Sequence, residues 1–467
     1  MPSVRKLFLA GVAGASLLIG GLYLAGMRVE LDGSATSPIF RFGTRESQAE
    51  VVERHRASQT PPAKAPEVVE AAPARPPSAA PVPAAVDSYW ADFRGPGRAG
   101  VYSQTPILTQ WPPTGLKELW RQPVGGGYAS FAVAAGTLFT IEQRRAKEVA
   151  SAYDAATGRE KWINSWDADF RESMGGDGPR ATPVWHDGRV YAQGAEGELR
   201  VIDAQSGATV WSKNILKDNG VANIMWGMSN SPLLVDANVI ATPGGSGGKS
   251  VVAYNKDTGA RVWGALDDKA SYTSPMLVEL AGKRQILVVT ANRAVGLDPA
   301  SGKLLWEFPW VTEYDINSAQ PIILAPNRFL ISAGYGHGAA LVEVSEGGAK
   351  AVWQNTRMKN RFNSSVLYQG HVYGMDEAIM ACIDVNSGDL KWKGGRYGYG
   401  QMLLAGGNIV VLTESGEVAL VAATPEAHRE IARFPAIQGK TWNHPALGAG
   451  VLYVRNASEM AAFRISP

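Results

Sequence analysis

The chain of 467 residues contains one cysteine, Cys382, so it can form no intrachain disulfide and lacks the Cys-x-x-Cys-His attachment of a c-type haem. Cys382 sits in the apolar run "IMACIDV" and reads as a small buried side chain. Histidine is also scarce. The six are scattered, with no His-Glu-x-x-His or His-x-x-Glu-His pattern, which argues against a transition-metal centre. Neither sign of charge prevails: 45 Lys and Arg face 43 Asp and Glu, so nothing global points to nucleic acid or an anionic surface. Long amphipathic helical stretches are missing as well. The stretch "GGSGGKS" (residues 244–250) looks like a phosphate loop, but Pro243 occupies the place of its first Gly. It also joins two strands instead of opening a helix, and reads as a turn.

Glycine and tryptophan, in contrast, are plentiful, with 52 and 14 copies, and both recur in one phrase. "AYDAATGREKW" ends at Trp162, and comparable phrases end at Trp211, Trp263, Trp306 and Trp392. Worn copies end at Trp353 and Phe434, and an orphan ending, "GLKELW", places Trp120 ahead of the first full copy. A period in the mid-forties with strand-type units indicates propeller blades, not helical solenoid repeats. Gly supplies positive φ in the tight turn, and the Asx and hydroxyl side chains can bond turn backbone. The ring that follows lies on an outer strand, where it can fill the wedge between neighbouring blades.

A second phrase runs in phase with the first, as in "ATPVWHDGRVYAQG" from Ala181 and "SPLLVDANVIAT" from Ser231. Its eight copies are each two apolar runs around a Gly or Asx turn, which is hairpin chemistry. Two hairpins per period predict an all-β, eight-bladed propeller of four-stranded antiparallel blades. The C-terminal "TWNHPALGAGVLYVRNASEMAAFRI" supplies only three strands, so the strand carrying Trp120 is expected to complete the eighth blade and leave no open edge.

Ahead of the propeller, assigned to residues 88–467, three segments are expected. Residues 1–6 form a cytoplasmic stub with Arg5 and Lys6, and residues 7–27 carry no charge and are long enough to span a bilayer. A cleaved signal peptide is the alternative. Residues 28–87 read as a linker, and "PPAKAPEVVEAAPARPPSAAPVPAA" should remain extended and semi-rigid. This order predicts a single-pass inner-membrane anchor with the propeller in the periplasm.

The repeated Asp-x-x-[Ser/Thr]-Gly-x-x-x-Trp phrase resembles the tryptophan-docking motif of pyrroloquinoline-quinone (PQQ) type propellers. The opening "WADFRGPGRAGVY" is similar to the lead-in of bacterial PQQ-like repeat proteins. That group includes quinoprotein alcohol dehydrogenases and the non-catalytic BamB-like propellers, accessory subunits of the outer-membrane assembly machine. The resemblance implies two functions. One is a membrane-tethered scaffold that binds a periplasmic protein or a small anionic ligand. The other is a PQQ- and Ca²⁺-dependent oxidoreductase acting on alcohols or sugars. The adjacent-cysteine disulfide of many quinoprotein dehydrogenases is absent here, and so is the lipid-attachment cysteine of BamB-like proteins.

The connections from each outer strand to the next inner strand fall on one face of such a propeller. Seven of them aim polar and aromatic residues at a common funnel. The candidates for cofactor or ligand binding are Arg180, Asn223, Trp226, Tyr272, Asn317, Arg361, Asn363, Arg396, Tyr399, Trp442, Asn443 and His444. In the oxidoreductase reading Asp177 or Asp315 would be the base, and Trp226 or Trp442 would stack on the quinone.

Overall fold

The repeated turn folds as its residues dictate. Asp154 Oδ1 accepts from the backbone N–H and hydroxyl of Thr157, at 2.9 and 2.8 Å, and Gly158 follows at φ +69°. The same arrangement recurs at Asp203 with Ser206 and at Asp298 with Ser301, where the serine bonds hold each carboxylate below its ordinary range. The computed structural model describes residues 20–22, 27–31, 38–41, 47–59, 88–324 and 326–467. Within it the two hairpins of each period form one blade. In blade 1 the strands are Ala132–Ala134, Thr137–Arg144, Lys147–Asp154 and Glu160–Asp167, paired in sequence order from the axis outward.

Blades 2 to 7 repeat this order over residues 184–214, 233–265, 276–309, 322–355, 366–396 and 401–435, and Val101–Tyr102 adds a fifth, parallel strand inside blade 7. Blade 8 takes three strands from residues 446–464, and its outer strand is Lys117–Pro123, antiparallel to Glu459–Arg464 with Trp120 opposite Ala462. The eight-bladed ring and its closure are therefore as expected. Apolar clusters fill the seams between neighbouring blades.

Most docking rings lie across the turn glycine of the next blade. The indole N–H of Trp120 donates to Ala155 O at 3.0 Å, Trp162 to Ala204 O at 3.0 Å and Trp211 to Lys256 O at 3.0 Å. A Cβ on Gly158 would stand 2.6 Å from the Trp120 ring. Phe434 packs in the same way on Gly115, the turn glycine of blade 8, so the chain of docked rings closes with the sheet. Trp306 departs from the pattern and donates to Gln285 within its own blade. The next turn, around Gly347 and Gly348, lacks the Asp-x-x-Ser/Thr frame.

A second set of bonds encircles the axis where the inner strands begin. The backbone N–H of Ser130 donates to the Thr182 hydroxyl, Ser231 to Ser274, Ser274 to the Gln320 amide oxygen and Gln320 to Ser364, each at 2.9–3.0 Å. Each link joins one blade to the next. The Ser130 hydroxyl returns to His444 O at 2.6 Å, across the closure seam.

That seam, between blades 8 and 1, packs Leu138 and Tyr153 with Leu452 and Tyr453 and also holds a buried polar cluster. Buried Glu142 accepts from Ser151 at 2.6 Å and from Arg144 at 2.9 Å. Burial alone would raise its carboxyl, but Arg144 and Arg455 outweigh that and bring it down to about 2. Over the seam sits a helix, Gln48–Ser58, inside the segment expected to be an extended linker. Ser47 and Glu50 form a capping box at its start, Val52 is fully buried, and Arg56 stacks 5.0 Å from the Tyr153 ring centroid. Gln48 donates to Val124 O at 2.8 Å, and Arg56 donates to Pro123 O at 2.9 Å. Strands Arg28–Leu31 and Pro38–Arg41 pair antiparallel. The proline-rich run and nearly all of the expected membrane span lie outside the described residues. Among those described, no helix is long and apolar enough to cross a membrane.

The docked rings make a specific demand on the turn glycines. Gly158→Ala should lower thermal stability by about 1–3 kcal/mol more than Gly136→Ala, because it adds overpacking against Trp120 to the cost of positive φ. Gly136 also has positive φ, but a Cβ there would meet nothing within 4 Å. Equal melting temperatures for the two variants would remove the docking role of the turn.

Candidate functional site

The segment ahead of blade 8 determines the shape of the central channel. Residues 90–102 cross the axis: Val133 N–H donates to Trp90 O, Trp185 N–H to Ala91 O and Leu404 N–H to Gly100 O, each at 2.8 Å. The Gly-Pro-Gly turn at 95–97 sends Arg98 into the ring, where its guanidinium donates to Pro275 O at 2.7 Å, Pro232 O at 2.6 Å and Ser231 O at 3.1 Å. Arg94 reaches Ser365 O at 3.0 Å, and Phe93 lies edge-on to His444 at 4.9 Å. The lead-in thus plugs the axis, and Phe93 belongs to the floor of a cup that opens on the loop face.

The cup encloses about 710 Å³, within the usual range for ligand pockets. Its walls hold Tyr128, Trp226, Tyr272, Tyr335, Phe362, Tyr399 and Trp442, and Thr182, Ser274 and Gln401 of the axial ring lie near its base. Among the described residues three cations enter it, Arg180, Arg361 and Lys440, and no carboxylate lines it. Arg361 stacks between Tyr335 and Tyr399, 4.8 and 4.7 Å from their centroids, and pairs with Glu377 at 2.7 Å. Lys440 Nζ lies 4.2 Å from the Trp442 ring and donates to Gly175 O at 2.9 Å. Arg180 lies over Phe170 at 4.6 Å and donates to Gly176 O at 2.7 Å. Burial lowers the pKa of both Arg180 and Lys440, so an entering anion would restore charge stabilisation that the protein withholds. Burial also keeps His444 well below its ordinary value, and therefore neutral.

Seven of the residues selected from the sequence meet in this cup: Arg180, Trp226, Tyr272, Arg361, Tyr399, Trp442 and His444. The other seven are placed elsewhere. Asn443 is buried and ties Ala129 O and Gly127 O, Asn317 holds Thr290 O, and Asn223 holds Ala195 O. Asn363 is fully buried outside the cup lining, and Arg396 ends an outer strand in solvent. Asp177 pairs with Arg171 at 2.8 Å, and Asp315 pairs with Lys269 at 3.4 Å beside a separate side pocket. Neither carboxylate faces the cup.

Several cup residues were not singled out in the sequence. Tyr128 lies on the eighth connection, Tyr335 lies between the second and third strands of blade 5, and Phe93 lies in the lead-in. Phe362 and Lys440 are on loops already read as funnel loops. The glycine-rich stretch at 244–250 is a turn, as expected, and its Gly247 and Gly248 N–H groups already donate to Asp267 at 2.6 and 3.0 Å.

The family model described as "Outer membrane protein assembly factor BamB" matches residues 95–242 and, overlapping them, 145–394, well over half of the chain. The chain belongs to this family. The outer membrane protein assembly factor BamB of Burkholderia pseudomallei (strain K96243) is 23% identical over 367 residues, covering 67% of this chain and 90% of that protein. Its counterpart from Bordetella pertussis (strain Tohama I) is 21% identical over 296 residues, covering 61% and 70%. The crystal structure of BamB from Moraxella catarrhalis matches 75% of this chain and all of its own, with a TM-score of 0.53 and 15% identity. The computationally designed protein Ika8 reaches the same TM-score at 9% identity, so the structural likeness speaks for the propeller alone.

One acid in this BamB-family propeller has an unusual environment. Burial raises Glu148 to about 7, even though Ala195 N–H and the Trp166 indole donate to it at 2.8 and 3.0 Å. It lies in the seam between blades 1 and 2 and does not line the cup, so its role is structural. A folded-state value above the unfolded one stabilises fully below the unfolded pKa, and that stability is lost as pH rises through about 7. Relative to Glu148→Gln, the wild type should therefore lose about 2–3 kcal/mol of stability between pH 5 and 8. Parallel curves for the two proteins in urea melts would contradict this assignment.

Proposed function

We propose that the chain is an accessory propeller of cell-envelope assembly. In this reading residues 7–27 anchor it in the inner membrane, and the cup faces a protein partner in the periplasm. Family membership supports the assembly role. The observation that carries the binding role is the blind, aromatic, carboxylate-free cup with its three cations. Its surroundings are also apolar: Met174, Met225, Val311 and Tyr314 are 72, 70, 65 and 66% exposed on the loop face. Exposed apolar surface on one face is characteristic of a docking site.

The quinone reading is less well supported. The cations and flat rings fit the acidic edge of PQQ, but Ca²⁺ takes oxygen ligands that commonly include carboxylates, and a dehydrogenase needs a base. The cup offers no Asp or Glu for either task. Among the described residues, no group of three or more His, Cys, Asp or Glu is placed to hold a metal.

Deleting the gene should reduce the content of outer-membrane β-barrel proteins. The wild-type chain should restore it, and the double variant Arg361→Gln, Lys440→Gln should not. A tagged chain should remain in the membrane fraction at uncut length, and purified protein given PQQ, Ca²⁺ and an alcohol should reduce no artificial acceptor. An unchanged envelope, or alcohol-dependent reduction, would overturn the proposal.

A further inference from the structure

The cup's geometry narrows the class of partner. We propose that it captures the C-terminal end of a protein chain whose last residue is aromatic, an inference that rests on the partner-binding reading above. Four observations select this occupant.

The first is the closed floor. Phe93 and the Arg94 and Arg98 anchors close the axis, so a chain cannot pass through the ring. A loop tip would have to bring two strands through the mouth, and paired strands lie about 4.8 Å apart before their side chains are counted. A chain end needs room for one.

The second is the sign of the lining. Among the described residues Arg180, Arg361 and Lys440 reach the cup, and no carboxylate does. A terminal ammonium would find only like charge, whereas a terminal carboxylate would find donors from three blades. Glu377 already engages one edge of Arg361, which keeps that side chain oriented beside Tyr335 and Tyr399. Arginine suits planar carboxylate recognition, and the partly desolvated Lys440 adds a point charge.

The third is the wall. The Trp226–Tyr272 pair, with centroids 5.8 Å apart, and the Phe362–Trp442 pair, 4.6 Å apart, leave aromatic surface facing the cavity. Rings at such spacings readily accept another ring in edge or offset contact.

The fourth is the surface outside the cup. A free aromatic acid would be satisfied within the cavity and would leave Met225 and Tyr314 without a role. Both border the side pocket next to Tyr272, a residue shared with the cup. A tail leaving the cup in that direction would cover them. This continuity commits the proposal to a protein tail.

The test uses the purified full chain in detergent and the fluorescein-labelled peptide Ser-Val-Ser-Leu-Ser-Ala-Phe, read by fluorescence anisotropy. The free-acid peptide should bind at least tenfold more tightly than its C-terminal amide, and at least tenfold more tightly than the version ending in Gly. Backbone cyclisation should abolish binding. The Arg361→Gln, Lys440→Gln variant should bind acid and amide alike, and the Met225→Ser, Tyr314→Ser variant should weaken the peptide but leave N-acetylphenylalanine unchanged. Equal binding of acid and amide by the wild type would overturn the inference without reference to any variant. So would N-acetylphenylalanine binding as tightly as the peptide, because the occupant would then be a free acid. A barrel-protein deficit on gene deletion without acid preference would leave the assembly role standing and remove the tail. Acid preference without a deficit would do the reverse.

Discussion

The pairing of Lys117–Pro123 with Glu459–Arg464 is the interaction on which the rest of the molecule depends. A ring of sheets has to dispose of its edge, and joining both ends of the chain in one blade does so with backbone hydrogen bonds. The choice of an N-terminal strand has a further consequence. Everything just before residue 117 must reach the perimeter, and here the chain gets there by crossing the axis. The plug and the floor of the cup follow from that route. The helix Gln48–Ser58 continues the pattern, since it packs where the outer strand of blade 8 turns inward toward blade 1.

Two circles of local bonds then hold the blades in register. The outer circle is the docked rings, most of them over a glycine that no side chain can replace without strain. The inner circle is made by the residues that open the inner strands, several of them followed by Pro, which holds them extended. A hydroxyl or amide at that position reaches the backbone of the preceding blade, so the phrase beginning "ATP", "SP" or "QP" is a stitch as well as a strand start. Groups above the inner circle, such as Tyr335 and Lys440, face the cavity.

The fold was legible in the sequence because one turn chemistry repeats with a fixed period. Even the closure could be read, since the strand around Trp120 had no blade of its own. The cup was only half legible. Loop membership told which residues approach the axis, but not which way each side chain turns. Asn443 and Asn317 spend their amides on neighbouring carbonyls, while Phe362 and Lys440, on the same kind of loop, face the cavity. Asp177 and Asp315 found cations outside the cup, a pairing that depends on Arg171 and Lys269 and is invisible to spacing. The floor was hidden because nothing in "WADFRGPGRAGVY" reveals that Arg98 will bond carbonyls of two distant blades. The docked helix had a visible signal, the Ser47–Glu50 capping box, but it was masked by the proline-rich run that follows.

Plug, cations and rings together make one blind anion-accepting cup. Its most direct test is a crystal of the protein soaked with 4-iodobenzoate, measured for iodine anomalous scattering. An iodine peak is expected among the aromatic walls above Phe93, with the carboxylate directed to Arg180, Arg361 or Lys440. A probe bound only outside the cup, or a solvent channel running past Phe93 through the ring, would contradict it.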